Sequence, residues 1–188
     1  MKKEIIVTVL LAIVVVALIL GMKFATGSFE ESDARKFVTE DLTTKFPGAD
    51  KIEVVNFEQM ANVSGGRYYS IKAAVIAGIS TPCPTRTNYY YNYPVQNFVP
   101  APPEYAVKNC RVCESSPCVI AFPEEAIIAS HTLAGSQLVQ QYITASRDAM
   151  PKVNRTQDTW TVAWTSSLDY GYKVAVSDNG TIESVEKI

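Results

Sequence analysis

The sequence predicts an α+β chain: an N-terminal transmembrane helix, followed by two units that each lay a helix against an antiparallel meander. Three observations carry that expectation. An apolar run fills residues 5–22, an amphipathic helical pattern opens each half of the remaining chain, and each pattern gives way to runs that alternate apolar and polar residues. The expected organisation is a cytoplasmic stub and anchor at 1–24, a first unit at 28–93, a Pro- and Cys-rich connection at 94–122, and a second unit at 123–188.

Ile5 to Leu20 reads IIVTVLLAIVVVALIL, with Gly21-Met22 before Lys23. As a helix rising about 1.5 Å per residue, 5–22 reaches roughly 27 Å, close to the hydrocarbon thickness of a bilayer. A cleaved signal peptide competes, because Ala25-Thr-Gly27 offers a small-x-small site, and a buried globular helix is the third reading. Either of the first two exports the remainder. Lys2 and Lys3 precede the run and Glu30, Glu31 and Asp33 lie after it, which places the N-terminus in the cytoplasm and the C-terminal part outside a cell membrane crossed once. The bilayer, through 5–22, is then one partner.

The first unit opens on Ser28-Phe-Glu-Glu31, a capping-box pattern. Ala34, Phe37, Val38, Leu42 and Phe46 recur at helical spacing, acids crowd the first turn, and Pro47-Gly48 ends the run. Lys51 to Phe57 comes next as a strand, Asn62 to Gly66 as a turn, and Arg67 to Ala77 as a second strand with Tyr69, Ile71, Ala73, Val75 and Ala77 on one face. After Cys83-Pro84, a third strand puts Tyr89, Tyr91 and Tyr93 on one face and Asn88, Tyr90 and Asn92 on the other.

Pro94 to Pro103 carries four prolines, so it is an extended connection and not the interior of a helix or central strand. Tyr105–Val107 and Val119–Phe122 read as short strands around a cysteine knuckle. Pro123 starts a helix with acids in its first turn, and Gly135-Ser136 interrupts it. Ser136 caps a second helix whose apolar side is Leu138, Val139, Tyr142, Ile143 and Met150. Asp158–Thr165 alternates Trp160, Val162 and Trp164; Tyr172, Val174 and Val176 share a face; and Asp178-Asn-Gly180 turns the chain into a last strand from Thr181 to Val185.

The stretches "DTWTV" and "YKVAVSDNGTIESV", with "DARKFVTEDLTTKFPGADKIEVVNFE" and "RYYSIKAAV" in the first half, resemble the PepSY and cystatin-like group. The resemblance covers roughly 29–93 and 137–187, and the first copy lacks the turn with Asp and Gly. It implies a small α+β binding or inhibitory module, often exported and tethered, and brings no catalytic residues.

Three of the four cysteines fall within nine residues, Cys110, Cys113 and Cys118, with Cys83 apart. Two structural disulfides are the leading reading for an exported domain, with three connectivities open. Pairing Cys83 with the cluster closes a loop of about thirty residues, worth about 3 to 4 kcal/mol in chain entropy. A zinc site on all four thiols and a redox pair of Cys110 with Cys113 are the alternatives.

Other chemistry is sparse. His131 is the only histidine and falls near the end of the Pro123 helix, where a cation complements the dipole. Glu124 and Glu125 suit a helix start without a metal, Gly65-Gly66 suits a hairpin, and no cofactor is expected. With 17 basic and 19 acidic residues and no basic cluster beyond the N-terminus, the chain lacks the footprint of a nucleic-acid partner. Sequons at Asn62, Asn154 and Asn179 read either as glycosylation sites or as turn chemistry. Tyr89, Tyr90, Tyr91, Tyr93 and Phe98, with Tyr105 beyond, form the candidate recognition surface, against the reading that they are half-buried sheet residues.

The functional expectation is a membrane-anchored extracytoplasmic binding or accessory module that modulates an envelope protein or protease, not an enzyme. A thiol-redox or zinc protein centred on Cys110 and Cys113, and a structural subunit of a surface assembly, are the alternatives.

Overall fold

A computed structural model describes residues 30–188. The order is α1 (Glu31–Lys45), β1 (Lys51–Ala61), β2 (Arg67–Ala77), β3 (Thr85–Tyr93), β4 (Glu104–Val107), α2 (Pro123–Thr132), α3 (Gln137–Ala145), β5 (Met150–Thr156), β6 (Thr159–Thr165), β7 (Tyr172–Ser177) and β8 (Ile182–Lys187). The strands form two antiparallel meanders, β1-β2-β3-β4 and β5-β6-β7-β8. Among the described residues no helix is long and apolar enough to cross a membrane. The expected fold class is corrected accordingly: the described chain is α+β, with two four-stranded sheets and three short helices, and the span expected at 5–22 lies outside the described residues.

In the first half, α1 buries Ala34, Val38 and Leu42 against Ile71, Ala73 and Val75 of β2. These are positions i, i+4 and i+8 of the helix meeting i, i+2 and i+4 of the strand, the two periods that bring one face of each element together. The helix starts after Glu30, whose side chain caps nothing; Ser28 of the expected capping box lies outside the described residues. Strand β1 is longer than expected and irregular. Ile52 pairs with Val75 and Val54 with Ala73, the register shifts, and Phe57 then pairs with Ile71. The extra residue, Val55, is 46% exposed. Without that bulge Asn56, not Phe57, would face α1.

The second half packs α2 and α3 on its sheet around Ile127, Val139, Trp160, Val162, Trp164, Val174 and Val176. Both indoles find acceptors: Trp164 Nε1 donates to Ser130 Oγ at 2.9 Å and Trp160 Nε1 to the Ile120 carbonyl at 3.1 Å. Three expectations are corrected here. Met150 belongs to β5 and not to a helix, and it is exposed. Val119–Phe122 is not a strand; Ile120 is buried and its amide donates instead to the Asp178 carbonyl of the last turn at 2.8 Å. Ser136 caps no helix with its side chain, since its hydroxyl donates back to the Leu133 carbonyl.

Gly180 in the β7–β8 turn has φ +81°, a backbone region that favours glycine. A Cβ there would lie 2.5 Å from the Cys118 sulfur and 2.7 Å from that of Cys113. The turn therefore rests directly on the cysteine knuckle.

Equilibrium unfolding in urea checks both packing arguments. Leu42→Ala, which empties a fully buried position under α1, should lower stability by about 2–5 kcal/mol. Gly180→Ala should cost at least about 2 kcal/mol, combining unfavourable backbone with the clash on sulfur, whereas Gly48→Ala, with open space around it, should stay within about 0.5 kcal/mol.

Candidate functional site

Alternation on β3 divides the expected recognition residues between two faces of the first sheet. Tyr89 packs on Phe46 at 5.0 Å between ring centres, while Tyr91 and Tyr93 pack on Phe37 at 6.2 and 5.3 Å. The Tyr91 hydroxyl donates to Asp41 Oδ2 at 2.6 Å, and burial with that carboxylate pushes its pKa well up. These three tyrosines are half-buried sheet residues beneath α1. Tyr90 and Phe98 lie elsewhere.

Tyr68, Lys72 and Tyr90 share the opposite face, because Lys72 pairs with Tyr90 and Tyr68 stands four residues before Lys72 on β2. Phe98, on the proline-rich loop, sits edge-on against Tyr68 at 5.6 Å. Asn62 Nδ2 donates to Gln96 Oε1 at 3.1 Å, tying the loop to the β1–β2 turn. Met60 pairs with Tyr68 and is exposed, as are Val95, Val99 and Tyr105. Glu104, at the start of β4, accepts from Lys72 Nζ at 2.8 Å, the Tyr90 hydroxyl at 2.8 Å and Asn88 Nδ2 at 3.1 Å. Lys72, Tyr90 and Asn88, in that order, pull its pKa down to about 2.

Further along this face the two halves meet. Arg86 of β3, 4% exposed, reaches Glu53 Oε1 at 2.7 Å and Glu124 Oε2 at 3.5 Å, and its guanidinium lies 4.5 Å from the centre of the Phe122 ring. Burial raises the pKa of Glu124, which is 1% exposed. Glu53 is also desolvated, yet hydrogen bonds from Lys51 and Arg86 keep its pKa low. Glu125 has a different task, accepting the amides of Ala121 and Phe122 at the start of α2. No pattern in the sequence marks the Arg86–Glu124 pair, since its members are 38 residues apart and on different elements.

The cysteines pair as Cys83–Cys110 and Cys113–Cys118, and none of the described cysteines is free. The redox pair of Cys110 with Cys113 is thus not formed, and the four thiols are used two by two rather than around one zinc. Cys113 and Cys118 are half-buried beneath Gly180, whereas Cys83 is exposed. An open cleft of about 250 Å³ beside the knuckle is lined by Tyr105, Lys108, Arg111, Glu114 and Glu125 among others.

His131 lies in the last turn of α2, as expected, but not as an exposed cation. It is 7% exposed, stacks edge-on with Trp164 at 5.6 Å, and its Nε2–H donates to the Pro82 carbonyl of the first half at 2.8 Å. Burial lowers its pKa, which favours the neutral ring over a cation at the helix end. Nε2 also lies 3.9 Å from Cys110 Sγ, and the donor atoms of Cys83, Cys110 and His131 fall within 4.8 Å of one another.

Among the sequons, Asn154 and Asn179 are exposed. Asn62 is committed to its turn, its Oδ1 accepting the amides of Ser64 and Gly66 at 3.1 and 2.8 Å. Compared with protein-family models, curated proteins and solved structures, the chain matches none.

Two predictions concern this network. Arg86→Met strands Glu124 in the interface and should destabilise by about 3–5 kcal/mol, with Arg86→Met/Glu124→Gln recovering most of the loss. An acid whose folded pKa is raised adds stability below its unfolded value and loses it as pH rises, so the single variant should suffer more at pH 8 than at pH 5. Glu104 is the opposite case, its contribution present above the ordinary glutamate range and lost as pH falls toward 2. Carboxyl NMR titration should place its midpoint near 2, and Lys72→Met or Tyr90→Phe should move it toward the ordinary value of about 4.3.

Proposed function

We propose that the chain is an extracytoplasmic binding or accessory module for another envelope protein, which it recognises through the face of the first sheet opposite α1 and the adjoining proline-rich loop. The observation that carries this reading is the placement of Phe98. It is 48% exposed, braced edge-on by Tyr68, on a segment whose prolines restrict the chain before any partner arrives. Aromatic rings held in this way add contact area at low entropic cost, and Tyr90 and Glu104 beside them supply a polar rim. Both disulfides support an oxidising exterior as the working environment. The resemblance of the two halves to PepSY-like and cystatin-like modules points to binding rather than catalysis.

A photo-crosslinking residue at position 98 in the full chain, activated in the native membrane fraction, tests the reading. One heterologous adduct is expected, and Tyr68→Ala should weaken the interaction with that partner by about tenfold or more while leaving the melting temperature within a few degrees. Adducts with only a second copy of the chain would favour the structural-subunit reading and overturn the proposal.

A further inference from the structure

The two disulfides occupy opposite chemical settings. Cys113–Cys118 joins two half-buried residues packed beneath Gly180 at the edge of an open cleft of about 340 Å³, and the chain's one histidine lies elsewhere, beside Cys110. Cys83–Cys110 joins an exposed residue to a half-buried one, and the chain's only histidine stands behind the inner sulfur, 3.9 Å from Cys110 Sγ. The Nε2–H that faces this sulfur already donates to the Pro82 carbonyl, so the ring is fixed in the tautomer that carries its proton on the sulfur side.

Exchange rates depend on which sulfur is attacked, on access to it, and on how well the departing sulfur carries negative charge. All three favour one direction here. We propose that Cys83–Cys110 is a thiol–disulfide exchange site, attacked at Cys83 by the thiolate of an external dithiol, with Cys110 as the leaving sulfur received by the His131 imidazole. The incoming thiolate forms a bond to Cys83 Sγ, the Cys83–Cys110 bond breaks, and its electron pair leaves on Cys110 as a thiolate, toward which the Nε2–H turns from the Pro82 carbonyl. The second thiolate of the dithiol then attacks its own sulfur in the mixed disulfide, closes the external disulfide and releases Cys83 as a thiolate. The dithiol loses two electrons and the protein disulfide gains them. Opening this bond unties the base of the segment that carries β3, the proline-rich loop and β4, while Cys113–Cys118 stays closed.

The test uses the full-length chain under native conditions. Dithiothreitol is added in limiting amount, and each cysteine pair is followed by differential alkylation and mass spectrometry. Cys83–Cys110 is expected to open at least about tenfold faster than Cys113–Cys118. Reduced glutathione, quenched with acid, is expected to leave its adduct on Cys83. His131→Gln and His131→Asn should slow the opening of Cys83–Cys110 several-fold and leave the rate at Cys113–Cys118 unchanged. Equal rates at the two disulfides, an adduct on Cys110, or an unaltered rate in a folded His131 variant would each overturn the proposal. So would stoichiometric Zn²⁺ capture by the reduced protein that a His131 variant abolishes, because the three groups would then belong to a metal. Adduct mapping on the unmutated chain decides the matter should neither His131 variant fold.

Discussion

The burial of α2 on both sides is the constraint on which the rest of the structure rests. Ala126, Ile127 and Ala129 belong to the core of the second half, and Ser130 holds the buried Trp164 indole. From the same ten-residue helix, Glu124 reaches Arg86 and His131 reaches the Pro82 carbonyl, both in the first half. A helix with apolar residues on one side and a carboxylate and an imidazole on the other is costly to bury unless each polar group finds a partner. Because those partners are supplied by β3 and the Cys83 corner, the two meanders are held to one another by polar contacts and not only by apolar area.

That arrangement explains which parts of the molecule are legible in the sequence. Periodicity locates α1, β2, β3, α2 and β6 closely, since each buries one regular face: Trp160, Val162 and Trp164 alternate in the chain and all three are buried. Elements whose signal is weaker than their tertiary contacts are misread. Strand β5, Met-Pro-Lys-Val-Asn-Arg-Thr, has a proline and few apolar residues, and exists because β6 offers it a ladder from Met150 to Thr156. Val119–Phe122 has the composition of a strand, yet its backbone is taken up by the Asp178 carbonyl and by the Glu125 carboxylate. The bulge at Val55 is equally hidden, since only the demand of α1 for Phe57 shows where the register must slip.

Site residues divide in the same way. The cysteines are legible as staples, but their pairing is not, because sequence spacing alone leaves three connectivities and the choice is made by how the Cys83 corner meets α2. The tyrosine strand is legible as an alternation, and that alternation places Tyr89, Tyr91 and Tyr93 under α1 while leaving Tyr90 with Glu104. His131 is legible as a last-turn residue of α2 but not as a buried neutral ring, because the dipole argument favours a cation there and no local pattern reveals the other half of the chain packed across it.

Among the described residues, strand β1 forms one margin of the first sheet, and its eleven residues have no strand on their outer side. A ribbon of that length, if flat, invites a second polypeptide to hydrogen-bond alongside it. The slip at Val55 breaks the even spacing of the outward amides and carbonyls halfway along, and Lys51, Glu53 and Glu58 set charge on either side of it. The irregularity that keeps Phe57 in the core thus also guards the molecule against unwanted fibrous growth along its longest border.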